Sequence, residues 1–249
     1  MAADHLLDSA RPVAAGERAT FIGALLLTAM LVLWIGAATD LDLMLADAAF
    51  DHASMTFPWR HAWLTEVFAH VALKRALIVL GSCFIVMATW DLLSARAWSA
   101  LRRFQMRVVA LSAILVPAAI TLTKHLSVSH CPWDLVRYGG VEPYVRLLEA
   151  MPRGTLAGGC MPAGHAATAL WMVSLAVFFL PARPRAAIAA ALVLLAAGFG
   201  VGWMQQLRGA HFLTHTLWSM WIACAIVGTL YLLMKPSVPP SQAPPSDIR

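Results

Sequence analysis

Residues 186–207 read AAIAAALVLLAAGFGVGWMQQL, 22 residues without one charged side chain. As a helix at about 1.5 Å per residue this run spans roughly 33 Å, enough to cross the roughly 30 Å hydrocarbon core of a bilayer. The rest of the chain has the same character. Of its 249 residues 60% are hydrophobic and only 12% charged, where a soluble domain carries about 25% charged residues. Its mean hydropathy is +0.72. The fold class is therefore all-α: a polytopic integral membrane protein.

Working outward, further apolar runs lie at about 20–39, 76–93, 108–123, 166–181 and 216–234. With 186–207 they predict six transmembrane helices in one membrane domain over 20–234. An N-terminal tail over 1–19 precedes it, and a Pro/Ser-rich, disordered tail over 235–249 follows. The N-tail holds Asp4, Asp8 and Glu17 and no compact apolar core, so it does not read as a cleaved signal peptide. Basic residues gather on one side: Arg11, Arg18, Arg96, Arg102, Arg103, Arg107, Arg183, Arg185 and Lys235. The positive-inside rule makes that side cytoplasmic, with both termini on it. Lys74 and Arg75 fall on the other side and break the rule. That other face receives 40–75, 124–165 and 208–215, and 40–75 reads as an interfacial amphipathic helix leading into the second span. The net charge of +5 comes without a basic stripe and interleaved aromatics, so no nucleic acid is expected as partner.

The chemistry gathers on the second face. TKHLSVSHCPWDLVRYGG (123–140) leaves the third run, CMPAGHAATAL (160–170) opens the fourth, and QQLRGAHFLTH (205–215) leads into the sixth. Pro and Gly break helices and His is costly in lipid, so Pro-x-Gly-His at the head of an apolar helix asks for a function. Lys124, His125, His130, His165, Arg208, His211 and His215 form a cationic, histidine-rich cluster at span ends. Backbone N–H groups at the helix start after Gly164 add to its pull on an anion, and phosphate is the expected guest. Histidine serves as nucleophile or proton donor near neutral pH. A metal reading has less to stand on: no HExxH or paired-Cys spacing occurs, and His211/His215 is the one ligand-like pair. No metal and no cofactor is expected.

Together the three stretches resemble the type 2 phosphatidic acid phosphatase (PAP2) superfamily, over roughly 105–230. Its motifs are Lys-x6-Arg-Pro, Pro-Ser-Gly-His and Ser-Arg-x5-His-x3-Asp. Lys124 and Pro132 match the ends of the first, and Pro162-Ala163-Gly164-His165 matches the second with Ala for Ser. His211 takes the place of the third motif's His. Three positions depart: Cys131 and Gln205 stand where the family has Arg, and His215 where it has Asp. Arg208, one turn nearer His211, and Arg137 are candidate replacement guanidiniums.

The resemblance implies a membrane phosphatase or phosphotransferase acting on a phosphorylated lipid. His211 attacks phosphorus to give a phosphohistidine, His165 protonates the leaving oxygen, and His215 holds the ring of His211. Lys124, Arg208, Gly164 and Arg137 bind phosphate. Undecaprenyl diphosphate, phosphatidylglycerophosphate, phosphatidate and lipid A phosphates are the candidate lipids, in a bacterial inner membrane with the site facing the periplasm. The competing class is a non-catalytic lipid-phosphate binder or transporter. On an oxidising face Cys131 and Cys160, each beside a motif, are expected to form a disulfide. Cys83 and Cys224 lie inside spans and behave as small apolar residues.

Overall fold

A computed structural model describes residues 15–94 and 98–235. Of the tails expected over 1–19 and 235–249, residues 1–14 and 236–249 lie outside the described residues, as do Arg11 and Arg96. Among the described residues seven α-helices follow one another: α1 Ala15–Ala38, α2 Leu41–Ala49, α3 Lys74–Ser94, α4 Ala100–His125, α5 Gly164–Leu170, α6 Pro184–Leu207 and α7 Leu213–Met234. Among the same residues five helices are long and apolar enough to cross a membrane: α1, the continuous Leu64–Ser94 helix that contains α3, α4, α6 and α7.

Six were expected, and the difference lies in the fourth. There α5 passes into a 3₁₀ segment, Trp171–Phe179, giving a shorter apolar helix over Gly164–Phe179. Seven residues at about 1.5 Å and nine at about 2.0 Å rise still give roughly 28 Å. The tighter winding stretches a short sequence over nearly a bilayer core. Its end is closed from α4, where Gln105 Nε2 donates to the carbonyls of Val177 and Leu180 at 3.1 and 2.9 Å. Val177 O also accepts from the cap residue's own Leu180 N–H at 3.0 Å.

Two other boundaries move for local reasons. The helix starting at Ala100 begins eight residues before the apolar run because Ser99 caps it, accepting from Arg102 N at 3.2 Å. Its first-turn Arg103 pairs with the buried Asp91 of α3 at 3.2 Å, so charges that read as loop belong to a helix. The expected interfacial helix over 40–75 divides. Only α2 lies apart, while Leu64–Leu73 is π-helical and runs without a break into α3.

The core sits where α4, α5 and α7 meet: Val108, Val109, Val116 and Ile120 pack against Ala166, Ala167, Leu170 and Ala223. Small residues let the helices close. A Cβ on Gly198 would meet Leu170 Cδ2 at 2.4 Å, and one on Gly202 would meet Thr216 Cγ2 at 2.3 Å. Two glycines one turn apart thus seat α6 against α5 and α7 by close van der Waals approach, the force that remains when lipid is as apolar as the helix face.

Candidate active site

The end of α4, the start of α5 and the start of α7 bring the three motifs to one end of the bundle. Each is placed by local sequence. After α6, Gly209 takes a left-handed φ of +72°, and a doubled turn closes the helix, with Gly209 N–H to Gln206 O at 2.9 Å and Ala210 N–H to Gln205 O at 3.0 Å. Two residues later comes His211, and Phe212 is the N-cap of α7. Asp42 of α2 is buried and accepts from both Thr214 N–H and Thr214 Oγ1, which anchors the start of α7. Burial pushes the Asp42 carboxyl above its usual range, against the pull of the Thr214 bonds.

The loop over 127–160 is laced. Gly158 N–H donates to Val128 O, Gly159 N–H to Ser127 O and Cys160 N–H to Ser129 O, all at 2.9–3.1 Å. A side chain at 158 would strike Ser129 O at 2.5 Å, so glycine is what lets the strands approach. A disulfide joins Cys131 to Cys160, with Cα atoms 5.4 Å apart. Ala163 N–H donates to His215 O at 3.0 Å, and Ser219 Oγ donates to both Ala163 O and His215 O at 3.0 Å. The Pro-Ala-Gly-His turn is therefore fastened directly to α7.

His211 and His215 are each only 2% exposed. Their Nδ1 atoms lie 3.4 Å apart, and His215 Nε2 lies 3.3 Å from Ser129 Oγ. One tautomer set satisfies the row: His211 Nδ1–H donates to His215 Nδ1, and His215 Nε2–H donates to Ser129 Oγ. It leaves a lone pair on His211 Nε2, the atom a nucleophile needs. Burial, with the charges of His215, Lys124 and His165 next, holds His211 well below the usual imidazole pKa and hence neutral at pH 7.

His215, Lys124 and His165 all lie near enough for their charge to act on His211, and a Cβ on Gly164 would come to 4.0 Å from Lys124 Cδ. A groove of about 610 Å³ runs from this end down between α3, α4 and α5, past Leu77, Ile78, Gly81, Ala113, Pro117 and Trp171. Lys74, Lys124, His125, Gly164 and His165 stand at its mouth. The arrangement offers an anion a cationic end and an apolar chain a slot between three helices.

Arg208 is buried against Gln205, donating to its Oε1 at 3.1 Å, so its guanidinium shares the neighbourhood of position 205. Its Nε–H donates to Arg60 O at 3.0 Å. Arg137 does not join the group. It makes a bidentate pair with Asp47 of α2 at 2.6 and 2.7 Å, and Tyr138 OH donates to the same carboxylate at 2.9 Å. In this structure the guanidinium ties α2 to the 132–138 turns, with the Asp47 carboxylate on both edges of its fork. His130 is buried, 3.8 Å from Glu142.

The sulfurs of Cys131 and Cys160 and a nitrogen of His211 lie within 4.8 Å of one another. Because the sulfurs are bonded to each other, they are not thiolate ligands. Two contributors escaped the motif reading. Ser129 sits inside the first motif as an unremarked x position. Asp42 belongs to an unrelated amphipathic stretch, LDLMLAD, and no local signal marks it.

A helical membrane protein with a histidine- and lysine-lined anion site at one bundle end is a membrane-embedded phosphoryl-handling protein in class. The PAP2 superfamily model matches residues 105–239. The chain belongs to the PAP2 superfamily, and membership supports phosphatase activity on phosphorylated substrates. No curated protein and no solved structure matches it significantly.

Proposed function

We propose that the protein is a lipid phosphate phosphatase or phosphotransferase working through a phosphohistidine. His211 Nε2 attacks phosphorus as the P–O bond to the leaving group breaks. His165 gives its proton to the departing oxygen, and the proton is restored when water, or an acceptor alcohol, resolves the N–P bond. The attacked ring becomes an imidazolium, and its Nδ1–H bond to His215, backed by Ser129, holds the new charge. Lys124, Arg208 and the backbone N–H groups at Gly164 neutralise the phosphoryl oxygens, the largest expected contribution to lowering the barrier. No step calls on a cofactor.

The observation that carries this reading is the coincidence of a largely apolar groove between α3, α4 and α5 with His165 and Lys124 in its lining, two groups whose charge also acts on the buried His211. A phosphorylated lipid has that division, a chain below and an anion above. The basic residues Arg102, Arg183 and Lys235 lie at the opposite end of the bundle, which supports a periplasmic site in a bacterial inner membrane, and the reach of Gly164–Phe179 supports a sixth span. The test is phosphate release, and phosphate transfer, from a panel of lipid mono- and diphosphates by purified protein, with ³²P-substrate to trap an acid-labile, base-stable protein label. No release, no transfer and no label across the panel leaves a lipid-phosphate binder instead.

A further inference from the structure

The charge rule that orients this chain is broken at Lys74, on the face where basic residues are otherwise avoided. The fold gives that lysine a place. It is the first residue of α3, where the π-helical Leu64–Leu73 hands over to α-helix, and single π segments are frequent at functional sites. Both Lys74 and Lys124 line the groove between α3, α4 and α5, together with His165 and Gly164, and the Lys74 charge acts on the Lys124 ammonium. Both are partly buried. Among the described residues, neither forms an ion pair with a carboxylate. Two like charges, partly desolvated and without a counter-ion, are unfavourable until an anion sits between them.

We infer that Lys74 is a second phosphate-binding cation of this site, carried in by α3 from outside the region that matches the family. It supplies positive charge that the chain lacks at Cys131 and Gln205, and with Arg208 it makes up the number of cations that the family motifs provide. A lysine fits the position because its ammonium is a point charge on a flexible stem, able to follow an oxygen without the fixed planar geometry of a guanidinium. The anion it takes is the phosphoryl headgroup of the lipid whose chain lies along the groove, so the inference rests on the function proposed above.

The experiment uses full-length protein in lipid nanodiscs, with a lipid monophosphate, a lipid diphosphate and orthovanadate as a headgroup-only probe. Lys74→Ala and Lys74→Gln are expected to lower kcat/KM and raise the vanadate inhibition constant by roughly ten- to a hundredfold, the size of one charge-assisted contact. Lys74→Arg keeps the charge and should recover most of both, and Arg75→Ala, exposed on the adjacent position, should change neither. A larger loss with the diphosphate means that Lys74 holds the second phosphoryl group, and an equal loss with both lipids means that it holds the transferred one. Unaltered kcat/KM and vanadate inhibition in both neutral variants of an active enzyme would overturn the inference and leave the phosphatase reading standing. So would an activity loss shared by Lys74→Arg with vanadate inhibition intact, since that marks a packing role. Inactive wild-type protein across the whole lipid panel overturns the functional reading itself.

Discussion

The bond from Cys131 to Cys160 closes a chain segment with a sequence separation of 29. In the chain-entropy treatment, a closed loop of that length restricts the opened state by about 3.6 kcal/mol, or roughly 400-fold in an opening equilibrium. The consequence is local, because both sulfurs sit in the laced layer over the site. Cys160 is fully buried, its N–H donates to Ser129 O, and its Sγ lies 3.5 Å from His211 Nδ1. Reduction by a water-soluble phosphine, or the double change Cys131→Ser/Cys160→Ser, is therefore expected to loosen 127–130 and 158–163 while the helical bundle holds. Hydrogen exchange of peptides covering 127–163 should speed up by as much as that factor, less what the three backbone bonds retain. Turnover should fall with it, because Ser129 and His211 lose a shared support. Alkylation before reduction should label Cys83 and Cys224 alone. Exchange and turnover that are the same with and without the bridge would refute the reasoning.

His211→Ala should lower kcat by about 10⁴-fold or more with the fold intact, and His165→Ala by about 10²–10⁴-fold, with partial recovery on a substrate whose leaving group needs no proton; wild-type turnover in His211→Ala sinks the mechanism. Ser129→Ala should cost roughly tenfold in kcat with little change in KM, since it orients His215 rather than touching substrate; a change in KM alone would contradict that. Arg208→Lys should lose tenfold or more, about what a planar guanidinium adds over an ammonium, and Gln205→Arg in that background should partly restore it; unimpaired Arg208→Lys removes this guanidinium from the scheme. His211, held well below 6.5 chiefly by burial, binds a proton less readily folded than unfolded. Its contribution to stability is therefore full above about pH 6.5 and is lost as pH falls below it, and the nucleophile's acid limb in kcat/KM should lie below 6.5, where a limb at 6.5 or above contradicts a neutral buried ring. Asp47, lowered by its bonds to Arg137, stabilises the outer layer above about pH 3.8 and releases it as pH drops through its folded value, an acid sensitivity that Asp47→Asn should abolish in a melting series.

Membrane class and most spans were legible because lipid enforces a crude code: an uncharged run long enough to cross must be a helix. The code falters where charge and helix coexist. The α4 helix keeps Arg102 and Arg103 because Ser99 caps it and Asp91 answers one of them, and neither fact is visible in a hydropathy run. The switch to 3₁₀ winding at Trp171 is likewise a packing outcome that no residue announces. At the candidate site, motif order along the chain foretold that Lys124, His165 and His211 would gather at one bundle end, and the position of Cys131 and Cys160 beside those motifs foretold their bond. The pairing of Arg137 with a carboxylate 90 residues upstream had no local signal, because proximity in sequence to a motif says nothing about so distant a partner.

The family match begins at residue 105, yet three supports of the site come from before it. Asp42 anchors the start of α7 through Thr214, which fixes where His211 and His215 point. The Arg60 carbonyl takes one edge of Arg208 and leaves the rest of the fork beside Gln205. Lys74 lines the same groove as Lys124. The three departures in the family motifs replace two arginines and an aspartate, groups that would have carried charge and held the nucleophile's ring from within the match. In the proposed scheme the His215–Ser129 row holds the ring, and the missing charge is drawn from elements the motifs never included. A chain that loses gripping residues in its motif can keep its chemistry only by recruiting partners elsewhere, and the upstream third is where this fold has placed them.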